Sequence, residues 1–558
     1  MEHHARYNWL FAFAAITALL VLLPVAGLVA LAALGTGDLW PHLAAHVLPD
    51  ALRQTVILLA GTGLVASVTG AGVAWLVTGF QFPGRRWLEW ALLLPLAIPT
   101  YIIAYAYLDV LHPVGPVQTA MRALLGIGDI RGLQLPDIRS MGGCILVMSA
   151  SLYPYVYVST RATLLTQSLD AIEAARGLGA AGGPLMYRVT LPLALPAISA
   201  GLGLVMLETL ADIGASEFLG VRTLTVAVYV TWTTRGSVEG AAQIALAILA
   251  LTFTLMAWER ATTRWRDRGT DGDRLPFRVR LTGMRAALAA GACALPLLLG
   301  FGVPTLHLMV NAAIRVSEFG LPPALGAWMW NSAYLAMLAS LVTLVCGLAV
   351  AFCHRHLGSA ASLTLLRVTA LGYAVPGTVL AVGLIGPVAG LDNALLDLLA
   401  WLGIGSRTTL ISGSVLVLVL AYTIRFLAIP VGMLETAYGR IPASIDDAAR
   451  GLGAPDRALV GRIHFPLLAP SLSGAALLVL IECMKELPAT LLLRPLNVET
   501  LATAVYAEAS RGTYEDGAVA ALSIVVLGLV PVIMLMRRVR NREGLAIMSG
   551  KKAALATA

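Results

Sequence analysis

Charged residues inside long apolar stretches are the first features of the sequence that could do chemistry. The stretch ETLADIGASEF places Glu208 and Asp212 four residues apart, and ECMKELPAT places Glu482, Lys485 and Glu486 at helical spacing. Residues three or four apart share a helix face, so we expect two polar faces within apolar helices. Ionisable groups inside a membrane are costly and usually mark function. The sequence predicts either a polar path for a cation or polar solute, or a structural cluster in which Lys485 neutralises a carboxylate.

Metal, redox and covalent chemistry have much weaker support. The five cysteines form no C-x-x-C pair, and most lie in apolar runs: Cys144, Cys293, Cys346, Cys353 and Cys483. This pattern favours buried hydrophobic roles. Residues 353–356 (CHRH) end an apolar run, where polar residues are expected, so we assign no metal site to them. We predict no catalytic residue and no enzyme activity, and leave a metal ligand set unassigned.

A glycine-rich octapeptide occurs twice, as EAARGLGA from Glu173 and as DAARGLGA from Asp447. The first copy imitates the dinucleotide fingerprint G-x-G-x-x-G, but that motif needs a preceding strand, and the second copy lacks its third glycine. The sequence has no P-loop motif either, so we expect this chain to bind no nucleotide. Instead we predict a short helix in each copy, capped in the second by Ser444 and Asp446 and ended by glycines.

The composition is typical of a polytopic membrane protein. The 558 residues have a mean hydropathy of +0.82, and 12% of them are charged, where soluble domains carry about 25%. A membrane-crossing helix needs about 20 mainly apolar residues. Twelve stretches qualify: 9–34, 55–79, 88–110, 141–162, 192–216, 238–258, 286–310, 329–353, 363–389, 410–430, 467–492 and 515–536. The predicted fold is all-α, with about twelve membrane helices in two tandem six-helix halves.

The predicted domains follow from these stretches and from the basic segments between them. They are a first six-helix half (1–258), a basic linker (259–285), a second six-helix half (286–536) and a basic tail (537–558). Because cytoplasmic loops are enriched in Lys and Arg, we expect the linker, the tail and both termini in the cytoplasm. The net charge of +7 is explained by this clustering, so we expect a lipid bilayer and no nucleic acid as partner.

The two halves are related by a repeat much longer than the octapeptide. An offset of 274 positions aligns these residues: Arg188 with Arg462, Pro192 with Pro466, Pro196 with Pro470, Glu208 with Glu482, and Asp212 with Glu486. Both octapeptides fall between the fourth and fifth helices of their halves, in the cytoplasm. Parallel repeats in membranes usually have a pseudo-two-fold axis along the bilayer normal, so we expect a pathway between the halves.

Both octapeptide segments resemble the EAA loop of ABC-importer permeases, which reads E-A-A, three residues, G, nine residues, I-x-L-P. The first segment has Val189 in place of Ile, and the second has Asp447 in place of Glu and Phe465 in place of Leu. The resemblance assigns ATPase coupling to Glu173, Ala174, Ala175, Gly179, Asp447, Ala448, Ala449 and Gly453. It implies a type I importer permease fold whose two coupling helices dock on two copies of a separate ATPase, which binds ATP and Mg. A periplasmic binding protein would deliver the substrate to this inner-membrane protein.

Three longer stretches resemble fused permeases of ferric-iron importers: residues 94–111, 151–165 and 484–495. Oxygen-rich linings suit a hard cation such as ferric iron. Fused permeases for thiamine, and others for phosphonate or polyamine, share this architecture and remain alternatives. Six tyrosines, Tyr101, Tyr105, Tyr107, Tyr153, Tyr155 and Tyr157, offer phenol ligands for iron, although aromatic belts at the membrane interface are a commoner cause of such clusters.

A transporter of another class is the main competing interpretation. A secondary transporter driven by an ion gradient would use the intramembrane carboxylates as a proton relay. It would have no need for paired docking loops, so the repeated octapeptide favours the ABC importer.

Overall fold

A computed structural model of the chain describes residues 8–129, 132–133, 135–166, 175, 177–179, 186–263, 279–403, 410–455 and 458–534. Within these ranges the protein is almost entirely helical. Ten helices of the described ranges are long and apolar enough to cross a membrane, and two bent helix pairs raise the number to twelve. The predicted all-α fold with about twelve membrane helices is therefore confirmed.

The elements of the first half and of the linker's beginning are, in chain order, α1 (Asn8–Ala33), α2 (Leu39–Gly79), β1 (Phe80–Gln81), α3 (Arg85–Ala97), α4 (Thr100–Val110), α5 (Pro116–Leu125), α6 (Met141–Thr166), α7 (Leu191–Ala211), α8 (Gly214–Phe218), α9 (Leu224–Thr233) and α10 (Val238–Thr263).

The following elements are β2 (Val279–Arg280), α11 (Gly283–Phe319), α12 (Leu325–Leu357), α13 (Ala360–Ala374), α14 (Gly377–Trp401), α15 (Val415–Phe426), α16 (Ala428–Tyr438), α17 (Ala443–Gly451), α18 (Phe465–Lys485), α19 (Pro488–Leu493), α20 (Leu501–Arg511) and α21 (Tyr514–Met534).

Two of the predicted spans are broken at proline. The stretch 88–110 divides into α3 and α4, which meet at an angle of 93° around Pro99. The stretch 363–389 divides into α13 and α14 around Pro376. Proline has no backbone N–H to donate and disfavours helical geometry in the residue before it. Accordingly Ile98 and Val375 both adopt extended backbone angles, with ψ of 120° and 115°.

Two further spans are shorter than predicted. The stretch 192–216 ends as a helix at Ala211, and the stretch 467–492 ends at Lys485. The next residue in each case, Asp212 or Glu486, has an extended backbone with ψ of 132° or 121°. A short helix, α8 or α19, then follows the extended residue, so each of these spans contains a helix break.

The helices form two compact units that differ from the two sequence halves. Unit 1 comprises residues 1–52, 223–252 and 323–504, and unit 2 comprises residues 53–222, 253–322 and 505–558. In unit 1, Gly27 of α1 packs directly on the backbone of Gly383 and on Pro387 of α14. In unit 2, Gly300 of α11 packs on the backbone of Ala150 in α6. Each unit thus contains the first helix of one half packed among helices of the other half.

A minimal sheet fixes the end of the linker within unit 2. β1 and β2 pair in parallel, with Phe80 opposite Val279 and Gln81 opposite Arg280, and Leu281 N donates to Gln81 O at 2.9 Å. Residues 264–278 of the predicted linker lie outside the described residues.

Candidate functional site: the coupling loops and the helix breaks

The second octapeptide forms a short surface helix that ends in a tight turn. In α17, Asp447 and Ala448 are exposed, whereas Ala449 is buried. Ala454 N donates to Ala449 O at 3.0 Å, which closes the helix end. Gly453 lies in this turn with φ of +80°, a conformation that strains residues with a Cβ. The turn exposes Leu452, whose accessible fraction is 89%.

Asp446 anchors this helix to unit 1 and does not cap it. The helix begins after Pro442 with no side-chain capping bond, so the predicted capping by Ser444 and Asp446 is wrong. Asp446 Oδ1 lies 2.9 Å from His464 Nε2, and its Oδ2 accepts from Arg355 Nη2 at 3.2 Å. Burial raises the pKa of Asp446, but the hydrogen bond and charge of His464 and the charge of Arg355 outweigh this and hold the pKa below its usual value.

The base of this anchor is an apolar and aromatic cluster. His464 is fully buried, and its ring meets that of Tyr438 edge to face at 5.5 Å. Leu434, Tyr438 and Leu468 form part of the surrounding core. Residues of α12, α16 and α18 thus pack around the side chain that anchors α17.

The first octapeptide is described only in part. Glu173 and Ala174 lie outside the described residues, while Ala175 and residues 177–179 lie within them. Gly179 has φ of +85°, and Leu178 before it is 89% accessible. Both loops therefore present an exposed leucine followed by a glycine in the left-handed conformation. The proposed coupling residues remain a prediction, and the structure adds Leu178 and Leu452 to them.

A second buried ion cluster lies in unit 2, where α3 meets α6. Glu89 Oε2 accepts from Arg85 Nη1 at 2.9 Å, and Glu89 Oε1 pairs with Arg161. All three residues are at most 9% accessible. Arg161 belongs to the helix that leads into the first octapeptide. Sequence reasoning missed this cluster, although Glu89 and Arg161 are charges within predicted spans and could have been noticed for that reason.

The helix breaks explain two of the intramembrane carboxylates. Asp212 Oδ1 accepts from the backbone N–H groups of Ala215 (2.9 Å) and Ser216 (3.2 Å), so it caps α8. Glu486 caps α19 in the same way, through the N–H groups of Ala489 (2.9 Å) and Thr490 (3.0 Å). The expectation that these carboxylates share a helix face with Glu208 and Glu482 is wrong, because α7 and α18 end before them.

The remaining charges pair locally. Lys485 Nζ donates to Glu482 Oε1 at 2.8 Å, which is the structural ion pair that the sequence left as an alternative. Glu486 instead faces Arg425, whose Nη1 lies 3.7 Å from its Oε1. Arg425 was not singled out from the sequence, although it is a charge inside the predicted span 410–430. The role of Glu208, Asp212, Glu482, Lys485 and Glu486 in translocation remains a prediction.

The tyrosines act as hydrogen-bond donors inside the protein. Tyr107, Tyr153 and Tyr157 donate to the backbone carbonyls of Leu299, Leu92 and Glu89 at 2.7, 3.1 and 2.7 Å. All three are nearly inaccessible, which fits neither an interfacial belt nor exposed iron ligands. Within the described parts of the chain, no group of three or more His, Cys, Asp or Glu side chains is placed to hold a metal ion.

The sequence is similar to known membrane transport proteins. Residues 63–267 match the binding-protein-dependent transport system inner membrane component family. An Fe(3+)-transport system permease protein of Haemophilus influenzae is 23% identical over 500 residues, 88% of this chain and 90% of that protein. A probable ABC transporter permease protein of Sinorhizobium fredii is 25% identical over 513 residues, 86% of this chain and 85% of that protein.

A shorter relative matches a single half. It is a putative 2-aminoethylphosphonate transport system permease protein of Salmonella typhimurium, 28% identical over 221 residues, 39% of this chain and 77% of that protein. Systems of this kind imply an ATPase and a substrate-binding protein as partners. Residues 63–267 thus match the family of inner membrane components of binding-protein-dependent transport systems, and the similarity along most of the chain identifies a non-catalytic, multi-pass permease subunit of an ABC importer.

Proposed function

We infer that this permease imports ferric iron, received from a periplasmic binding protein. The observation that carries the proposal is the similarity to an Fe(3+)-transport permease along 88% of the chain, through both halves. The phosphonate-system relative covers 39% of the chain and supports the architecture more than the substrate. Thiamine, phosphonate and polyamine remain the alternative substrates for the same architecture.

The two octapeptide loops are proposed to dock on two copies of the ATPase, which binds ATP and Mg. The exposed leucine and left-handed glycine of each loop support this role, because together they form an apolar knob that a groove can accept closely. Asp446 supports it as well, since it links α17 to buried side chains of unit 1. ATP-driven closure of the ATPase pair would pull on both loops and move the helices attached to them.

The proposed orientation has both termini in the cytoplasm. Contacts within unit 2 support the relative sidedness of its helices. Asp109 Oδ2 lies 2.9 Å from His307 Nε2, and Arg315 Nε donates to Asp516 Oδ1 at 2.5 Å. All four residues lie towards helix ends that the alternation of spans assigns to the periplasmic side.

The translocation pathway is proposed to pass the two helix breaks. Glu208 and Glu482 lie on the last turn before each break, next to Asp212 and Glu486, and Lys485 neutralises Glu482. Helix breaks in membrane proteins occur where the backbone is buried in protein or lines a cavity. Alanine variants of the four carboxylates should lower transport, and normal transport by all four would leave them only a structural role.

The test is uptake by vesicles that contain the permease, its ATPase and the binding protein. Radioactive ferric iron, thiamine and 2-aminoethylphosphonate are offered separately, with and without internal ATP. ATP-dependent uptake of iron alone supports the proposal, whereas uptake of another compound replaces the substrate. Uptake that needs no ATP and collapses with a protonophore would instead support an ion-gradient-driven secondary transporter.

A further inference from the structure

The break after α7 is held by a short acid and a hydroxyl group. Asp212 caps α8 through the backbone N–H groups of Ala215 and Ser216. Its second oxygen, Oδ2, accepts a hydrogen bond from the hydroxyl of Thr100. Thr100 is the first residue of α4 and directly follows Pro99. The partners that the structure gives the Asp212 carboxylate are therefore neutral donors.

The break after α18 is held by a longer acid, whose carboxylate accepts from the hydroxyl of Thr490 at 2.6 Å and, unlike that of Asp212, also lies beside a guanidinium group. Glu486 caps α19, and Arg425 Nη1 lies 3.7 Å from its Oε1. The arginine occupies space beside Gly377, the first residue of α14. A Cβ on Gly377 would lie 2.5 Å from Arg425 Nη1 and 2.6 Å from Glu486 Oε1. These distances are below any ordinary contact, so the arginine and the glycine depend on each other.

The two sets occupy equivalent positions of the repeat. Pro99 and Pro376 are 277 positions apart, and each precedes the helix that faces the break. The residues that follow these prolines have the same offset of 277, whereas the other two pairs of residues have the offset of 274. The corresponding pairs are Thr100 and Gly377, Ser151 and Arg425, and Asp212 and Glu486. Ser151 is a small buried residue where the other half has arginine. The second half has the large, charged Arg425 where the first half has Ser151, and it has Gly377, without a side chain, where the first half has Thr100.

We propose that the two sets are interchangeable ways of holding the same helix break, and that Arg425 and Gly377 are positioning residues of the importer that act through Glu486. Arg425 compensates the charge of a carboxylate whose side chain is 1% accessible. Gly377 provides the space in which the guanidinium lies. The geometry of the break, and with it the productive coupling of ATP hydrolysis to transport, depends on this pair.

The test transplants the set of one half into the other. Gly377→Ala and Arg425→Ser should each lower the iron imported per ATP hydrolysed at least about tenfold, because the first creates a clash and the second leaves a buried charge uncompensated. The triple variant Gly377→Thr, Arg425→Ser, Glu486→Asp recreates the set of Thr100, Ser151 and Asp212. It should recover to within about threefold of the wild type, a non-additivity expected only of residues that act together.

A glycine on the same helix provides the matched control. A Cβ added to Gly390 of α14 would have nothing within 4 Å, so Gly390→Ala should import as the wild type does. Co-purification of the ATPase reports whether each variant assembles. The ratio of imported iron to hydrolysed ATP separates a positioning role from a loss of folded complex, since a smaller amount of intact complex leaves the ratio unchanged.

Two results would overturn the proposal: wild-type coupling in Gly377→Ala, or a triple variant no better than Arg425→Ser. If the single variants fail to assemble with the ATPase, the yield of assembled complex is measured instead. The proposal then requires the triple variant to restore this yield. The proposal rests on the importer function but not on its substrate. If the wild type imports no iron, the same variants are compared by ATP hydrolysis stimulated by the binding protein, so the two failures remain distinguishable.

Discussion

Units 1 and 2 each contain a buried ion cluster, but the clusters differ in chemistry. In unit 2, Glu89 lies between two arginines, and all three side chains belong to α3 and α6. In unit 1, Asp446 belongs to α17, the helix of the second octapeptide, and lies between Arg355 and His464. One cluster therefore joins α3 to α6, and the other attaches α17 to the rest of unit 1. If both loops dock on the ATPase as proposed, we expect them to transmit force by different routes.

The largest expected effect comes from removing the central carboxylates. Glu89→Ala leaves two buried arginines, which stay charged, and should cost about 3–5 kcal/mol of stability. Asp446→Ala leaves one arginine whose side chain is 18% accessible and can be partly solvated, so a smaller loss of about 1–3 kcal/mol is expected. Denaturant unfolding in detergent measures both. The exposed neighbour Arg86 provides a control, because Arg86→Ala should change stability by less than about 0.5 kcal/mol. Equal losses from the two carboxylate variants would contradict the comparison.

Substitution of the loop glycines should have the next largest effect. Gly179→Asp and Gly453→Asp place a charged side chain in the left-handed conformation, which costs about 1–2 kcal/mol per residue, and add charge to the docking surface. We expect loss of ATP-dependent uptake while the permease remains folded, because nothing lies within 4 Å of either Cβ position. Gly451→Ala, at the end of α17 two residues before Gly453, is the matched control for the second loop. The proposed docking role would be wrong if both aspartate variants still co-purified with the ATPase and took up substrate at wild-type levels.

The exposed leucines allow a finer comparison of the two loops. Leu178→Ser and Leu452→Ser remove an apolar side chain that is 89% accessible in the free permease. If each leucine enters a groove on the ATPase, each substitution should weaken binding by about 1–2 kcal/mol, or roughly five- to thirtyfold. Titration of the purified ATPase onto the permease measures this. Unchanged affinity in both variants would place the docking contact elsewhere on the loops.

Acid pH should reveal the smallest difference. Because the folded protein holds the pKa of Asp446 below its usual value, its stabilisation is complete above about pH 4 and is lost as the pH falls through the lowered value. The stability difference between the wild type and Asp446→Asn should therefore stay constant from pH 7 to about pH 5 and shrink only below about pH 4. A difference that already changes between pH 7 and pH 5 would contradict the assignment of this dependence to Asp446.

The fold followed from the sequence because its strongest signals are long and repetitive. Apolar stretches of membrane length indicated the helices, and the offset of 274 positions aligned both loops and both carboxylate pairs. The helix breaks were less visible, since Asp212 and Glu486 have the same spacing whether they lie on a helix or cap the next one. Pro99 and Pro376 carried part of that signal, because each directly follows an extended residue.

The partners of the buried charges could not be read from spacing. Arg355 and Asp446 are 91 positions apart, and Arg161 and Glu89 are 72 apart, so their pairing depends on how helices pack. The same limit applies to Gly377, whose role depends on Arg425. The interleaved composition of units 1 and 2 is likewise a property of packing, because the repeat alone predicts two contiguous halves.

That interleaving has a consequence for how the protein is made. α1 leaves the ribosome well before its partners, because its contacts at Gly383 and Pro387 are synthesised roughly 350 residues later, which takes about 20–70 s at ordinary elongation rates. During that time α1 must remain in the bilayer without these partners. Its mean hydropathy of 2.6 and the absence of charged residues between Trp9 and Ala33 allow α1 to remain in the bilayer without protein partners. The first helix is thus built to be stable in lipid alone and to be captured by its partners at a late stage of synthesis.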